Sequence, residues 1–181
     1  ATTGDALDNV DQQDPTWGGK PIEFPRIQGA DVCGVIIAVG ADVDDARIGQ
    51  RVITDNWLRD RQDPTNKNRT GYFGSECNGG YAEYTIINQH NALAVNTDLS
   101  DAELATFSCS YSTAEGMLTR ASVTSRDTVL VPGATGGVGG ALVQLAKLRG
   151  ARVIALASEA KHQAVAALGA DLVLPRAPEN L

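Results

Sequence analysis

Between Val129 and Gly140 the chain reads VLVPGATGGVGG, with Gly133, Gly136 and Gly139 spaced GxxGxxG. Such a run can bring bare backbone against a pyrophosphate and aim the free amides of a helix N-terminus at the anion. The residues that would line the site are Gly133, Ala134, Thr135, Gly136, Gly137, Val138 and Gly139. The same triplet also serves as a turn that lets a helix pack closely on a strand. A strand before it and a helix after it, within a βαβ unit, favour dinucleotide binding.

A dinucleotide site has a second anchor at the end of the next strand, about 20 residues on, where a carboxylate binds the ribose hydroxyls of NAD. Here that strand ends in Ala157-Ser158, followed by Glu159 and Lys161. With a hydroxyl and a lysine nearby and no carboxylate at the tip, the expected cofactor is NADP(H) rather than NAD(H). Ser158 and Lys161 would take the 2′-phosphate. Glu159 argues for NAD(H), and Lys161 also reads as a solvated helix residue.

Other chemistry is sparser. Tyr111 can donate its hydroxyl to a substrate carbonyl or simply pack. Asp31, in the turn Gly29-Ala30-Asp31, reads as a polar anchor or a turn cap. Cys109 is a nucleophile or a small buried hydrophobe. Cys33 falls in an apolar strand and is expected in the core, His90 in a surface loop, and His162 on a solvated helix.

The elements that must position these residues change character near Arg126. Before it, the expected strands are 32–39, as a buried strand, then 51–55, 81–87 and 92–95, in an irregular β-rich region broken by Gly, Pro, Asn and Asp. The segments 1–19 and 57–70 read as polar excursions. Two helices are expected to start from capping boxes, Ser100 with Glu103 and Ser112 with Glu115. After Arg126 comes strand 128–131, then helix 137–149 with Val138, Leu142, Leu145 and Leu148 on one face. Strand 153–157, helix 159–168 and strand 171–174 follow, with Gly150 and Gly169 as helix stops. This βαβαβ order is half of a doubly wound nucleotide-binding sheet.

Composition excludes other classes. The 181 residues are 43% hydrophobic and 20% charged with net charge −7, which speaks against a nucleic-acid footprint. The absence of a long apolar run or leader pattern gives no membrane role and an expected cytoplasmic location. Three separated cysteines, Cys33, Cys77 and Cys109, make no disulfide framework, and two histidines are poor stock for a metal site.

Five ordered motifs carry a family resemblance: FPRIQGADVCGVIIAVG, RIGQRV, GGYAEY, LATFSCSYSTAEGML and VLVPGATGGVGGALVQLAKLRGARVIAL. In that order they resemble the medium-chain dehydrogenase/reductase superfamily of alcohol dehydrogenases and quinone oxidoreductases. The resemblance implies an α/β chain. A partial GroES-like β-rich catalytic domain (1–126) would precede the first half, βαβαβ, of a Rossmann domain (127–181), with hydride transfer in the cleft between the two. It implies a chain truncated at both ends, a small-molecule substrate and a homodimer. Zinc-dependent members carry Gly-His-Glu where this chain has Gly29-Ala30-Asp31, so the ligand histidine is replaced by Ala30. Cys109 matches another ligand position, and the stretch 53–79 holds only Cys77 where zinc enzymes carry a four-cysteine lobe. No zinc is therefore expected. The resemblance narrows to the zinc-independent branch, in which NADPH gives hydride to a double bond conjugated to a carbonyl, and Thr113 matches a threonine that contacts the nicotinamide carboxamide. A zinc-dependent alcohol dehydrogenase and a nicotinamide-nucleotide-binding protein without catalysis stand as alternatives.

Overall fold

The computed structural model describes residues 24–63, 66 and 70–177. The chain divides into two compact units, Ala1–Ser108 and Cys109–Leu181.

The first unit is built on a three-stranded antiparallel sheet of β1 (Cys33–Val35), β2 (Arg51–Thr54) and β5 (Ala92–Ala94), in the order β1-β2-β5. Cys33 faces Ile53 and Val52 faces Ala94 across the ladders. Alternation along β2 buries Val52 and Thr54 while Arg51 and Ile53 stay half-buried. A hairpin-like pair, β3 (Trp57–Leu58) and β4 (Gly71–Tyr72), sets the Trp57 and Tyr72 rings edge to face at 6.0 Å. Helix α1 (Asp101–Ala105) starts where expected, with the Ser100 and Glu103 capping box formed in both directions. Arg51 fastens it to β2: its Nε donates to Asp101 Oδ1 at 2.7 Å and its Nη2 to Leu99 O at 2.6 Å.

Two expected strands are corrected here. Of 32–39 only Cys33–Val35 joins the sheet, as an outer strand, and Val35 and Ile37 are 55% and 64% exposed, so this is not a buried strand. The segment 81–87 forms no strand. Among the described residues its apolar alternation has no neighbouring strand to pair with, and Ile86 is 93% exposed. Its backbone contacts run elsewhere, Tyr81 N donating to Gln28 O at 2.9 Å.

The second unit takes most of α2 (Phe107–Arg120). Its sheet is parallel, in the order β6 (Thr128–Val131), β7 (Arg152–Leu156), β8 (Leu172–Leu174), with Val129 beside Val153 and Ala155 beside Val173. Between these strands run α3 (Gly137–Leu148), a 3₁₀ turn (Glu159–Lys161) and α4 (His162–Ala167), so the βαβαβ order holds. Gly150 and Gly169 close the helices with φ of +77° and +106°. Leu118, Val131, Val143, Ala146, Val153 and Val165 form the core.

Helix details differ from expectation. The face of α3 that meets the sheet is made of Gly139, Val143 and Ala146, with Ala141 also buried. Small residues let helix and sheet approach, so of the expected stripe Leu142 and Leu145 only flank the core and Leu148 is 82% exposed. Ser112 opens no helix; α2 starts at Phe107, and the Ser112 hydroxyl donates back to Cys109 O at 3.2 Å. Glu115 pairs with Arg149, the residue that caps the C-terminus of α3, and this holds its carboxyl below the usual range. Among the described residues no helix is long and apolar enough to cross a membrane.

Candidate functional site

The strand β6 ends at Val131, and the chain turns at Gly133 with φ +66°. Gly136 N returns to Gly133 O at 3.0 Å, and Gly136 then caps α3 without a side chain. Gly139 lies under this turn: a Cβ there would stand 2.2 Å from Gly133 O and 2.9 Å from Ala134 Cα. The loop therefore closes only around glycine at 139. The first turn of α3 holds no acidic residue and no side-chain cap. Gly137, Val138 and Gly139 are first-turn positions, whose amides an α-helix leaves unpaired, and the positive end of the helix dipole lies there too. This is the geometry that accepts an anionic oxygen.

Within the run, residues take different parts. Thr135, Gly136 and Gly137 are exposed, whereas Ala134 is fully buried and its amide donates to Leu156 O at 3.3 Å. Ala134 thus turns inward and ties the loop to the end of β7. Just beyond, Ala157 N donates to Leu174 O at 3.0 Å, and Ser158 is half-buried with a hydroxyl that does not cap the turn it precedes. Lys161 and Glu159 are exposed. His162 is half-buried, with Nε2 3.2 Å from Ala157 O, so the expected solvated histidine instead braces the strand end.

On α2, Cys109 and Tyr111 are half-buried and Thr113 is exposed. Thr113 lies mid-helix, not in a first turn as expected, because α2 begins six residues before it at Phe107. The Tyr111 hydroxyl accepts from Gln144 Nε2 at 2.8 Å, which fastens α2 to α3 beside the loop. Gln144 was missed in the sequence, although a polar residue inside the apolar run ALVQLAKL was its signal.

In the first unit, the turn Gly29-Ala30-Asp31 is shaped by backbone. Gly29 has φ +101°, and Gly79 packs on it so closely that a Cβ would stand 2.2 Å from Gly29 O. Ala30 O accepts from the Thr54 hydroxyl at 3.1 Å, and Thr54 Oγ1 lies 3.4 Å from Ser108 Oγ. Asp31 is exposed and lines a cavity of ≈ 590 Å³ with Cys33, Thr54 and Tyr84. Cys33 is half-buried, and burial first, then Asp101, pushes its thiol up. Among the described residues no three His, Cys, Asp or Glu gather as a metal site requires. Ala30 presents a methyl group, so the turn does not fit a zinc ligand set.

The alcohol dehydrogenase GroES-like domain family matches residues 5–97. The chain belongs to the medium-chain dehydrogenase/reductase superfamily. Alcohol dehydrogenase notN of Aspergillus sp. strain MF297-2 is 32% identical over 158 residues, covering 82% of this chain and 46% of the relative. The 2-methylene-furan-3-one reductase of Solanum lycopersicum is 33% identical over 159 residues, covering 87% and 38%. A crystal structure from Sinorhizobium meliloti 1021, carrying an alcohol dehydrogenase name, is 49% identical with a TM-score of 0.82, over 88% of this chain and 44% of that one. The chain therefore spans less than half the length of these superfamily members.

Proposed function

We propose that the chain belongs to an oxidoreductase that moves a hydride between NADP(H) and a small carbonyl-conjugated substrate, an enone or a quinone. The observation that carries the cofactor reading is the loop closed around Gly139 beneath an uncapped, acid-free first turn of α3. The bound dinucleotide supplies the hydride; the chain binds and orients. Amides of Gly137, Val138 and Gly139 hold the pyrophosphate, with Gly133 and Gly136 setting the turn, Thr135 lining it and Ala134 anchoring it from below. Ser158 and Lys161 hold the 2′-phosphate, and Thr113 takes the carboxamide. Asp31, Tyr111 and Cys109 face substrate: the Tyr111 hydroxyl donates to the carbonyl, and Asp31 is a polar anchor that accepts hydrogen bonds. The division of labour assigns 1–126 to catalysis and 127–181 to the cofactor, in a cytoplasmic homodimer.

Ala30 supports the zinc-free branch, as does the name of the tomato reductase. The alcohol dehydrogenase names of the Aspergillus and Sinorhizobium relatives favour a second reading, a zinc-dependent dehydrogenase. Elemental analysis separates the two: zinc well below one equivalent per chain is expected, and one tightly held equivalent would overturn the first reading. Titration of the protein with NADPH and NADH tests the cofactor. NADPH is expected to bind more tightly, and Lys161→Ala to weaken it about tenfold while leaving NADH unchanged.

A further inference from the structure

Helix α2 brings one more side chain to the glycine loop. Gly133 serves a positive φ and Gly139 its contact with Gly133, but Gly137 has an ordinary backbone. Its neighbour is Ser110: a Cβ at Gly137 would stand 2.5 Å from Ser110 Oγ and 3.4 Å from Ser110 Cβ. The serine hydroxyl thus lies against the first residue of α3, within the turn whose amides have no helical partner. Two ties keep α2 in this place, Gln144 on the Tyr111 hydroxyl and the Arg149–Glu115 ion pair.

Ser110 is half-buried, and its hydroxyl makes no hydrogen bond among the described residues. Its neighbour Ser112 is satisfied by Cys109 O. A hydroxyl serving packing alone would be expected to turn onto a carbonyl of its own helix. Here it lies against the first residue of α3, in a turn that holds no carboxylate and no side-chain cap. Such a turn accepts an anionic oxygen.

We propose that Ser110 donates its hydroxyl proton to a pyrophosphate oxygen of the dinucleotide, next to the Gly137 amide. The inference rests on the cofactor reading above. It makes Ser110 a binding residue contributed from outside the βαβ unit.

The test compares wild-type protein with Ser110→Ala by titration with NADPH and with 2′-AMP, which carries the 2′-phosphate and no pyrophosphate. The expected result is NADPH affinity lower by about tenfold and 2′-AMP affinity within about twofold of wild type. Unchanged NADPH affinity overturns the role of Ser110. An equal loss for both ligands also overturns it, since that marks a distorted loop. If the wild type binds NADH alone, the same comparison is made with NADH and adenosine. Failure of the wild type to bind either dinucleotide overturns the cofactor reading and this inference together, whereas binding that ignores Ser110→Ala removes only the inference.

Discussion

Gly139 separates a loop that closes from one that cannot. A methyl group there would meet backbone, Gly133 O at 2.2 Å, and backbone cannot swing aside as a side chain does. Gly139→Ala is therefore expected to lower the thermal midpoint by several degrees and abolish nucleotide binding, read by thermal denaturation and NADPH titration. Binding at wild-type affinity would mean that the loop has room the structure denies. At this scale the sequence was informative where a residue type has one physical use. The glycine spacing announced the turn and the close helix approach. The parts played by Ala134 and Ser110 were not legible, because the inward turn of one and the approach of the other to Gly137 depend on elements distant in sequence.

Periodicity located the elements of the second unit and misjudged their faces. The leucines at 142, 145 and 148 look like the buried stripe because hydrophobicity rewards size, yet Gly139, Val143 and Ala146 meet the sheet, where close approach rewards smallness. Val143→Ala is accordingly expected to cost about 2 kcal/mol, whereas Leu148→Ala should stay within about 0.5 kcal/mol. Denaturant melts of both variants check this, and equal costs would reinstate the leucine stripe. The capping box at Ser100 was legible because both partners lie three residues apart in one turn. The same spacing at Ser112 misled, because Glu115 has a stronger partner in Arg149, a contact 34 residues away. The segment 81–87 failed for a related reason: a strand needs a neighbour, and local alternation cannot supply one.

Both units carry carboxylates whose charged form the fold favours. Arg51 holds Asp101 below its ordinary range and Ser100 holds Glu103 there; in the second unit Arg149 does so for Glu115, Thr124 for Asp127 and Lys147 for Asp171. A lowered carboxyl contributes stability that is present above its unfolded pKa and lost as pH falls through its folded one. Thermal midpoints are thus expected to hold near neutrality and fall below about pH 4. Asp171 is the most informative position, since Lys147 Nζ reaches its Oδ1 at 2.8 Å while its Oδ2 accepts from Val153 N at 2.7 Å. Asp171→Asn should lower the midpoint at neutral pH and flatten the acid decline; an acid decline as steep as wild type would remove Asp171 from the account.

The crossing of Gly29 and Gly79 has a consequence for how such a turn can change. Its backbone is held by main-chain bonds, Gly80 N on Gly29 O at 2.8 Å and Gly79 N on Ile27 O at 2.7 Å, and by the Thr54 hydroxyl on Ala30 O at 3.1 Å. The side chain at Ala30 takes no part in those bonds. Architecture and chemistry are therefore separable at this position, and a lineage can exchange a metal-binding residue for an inert one there, or the reverse, without passing through an unfolded intermediate sequence.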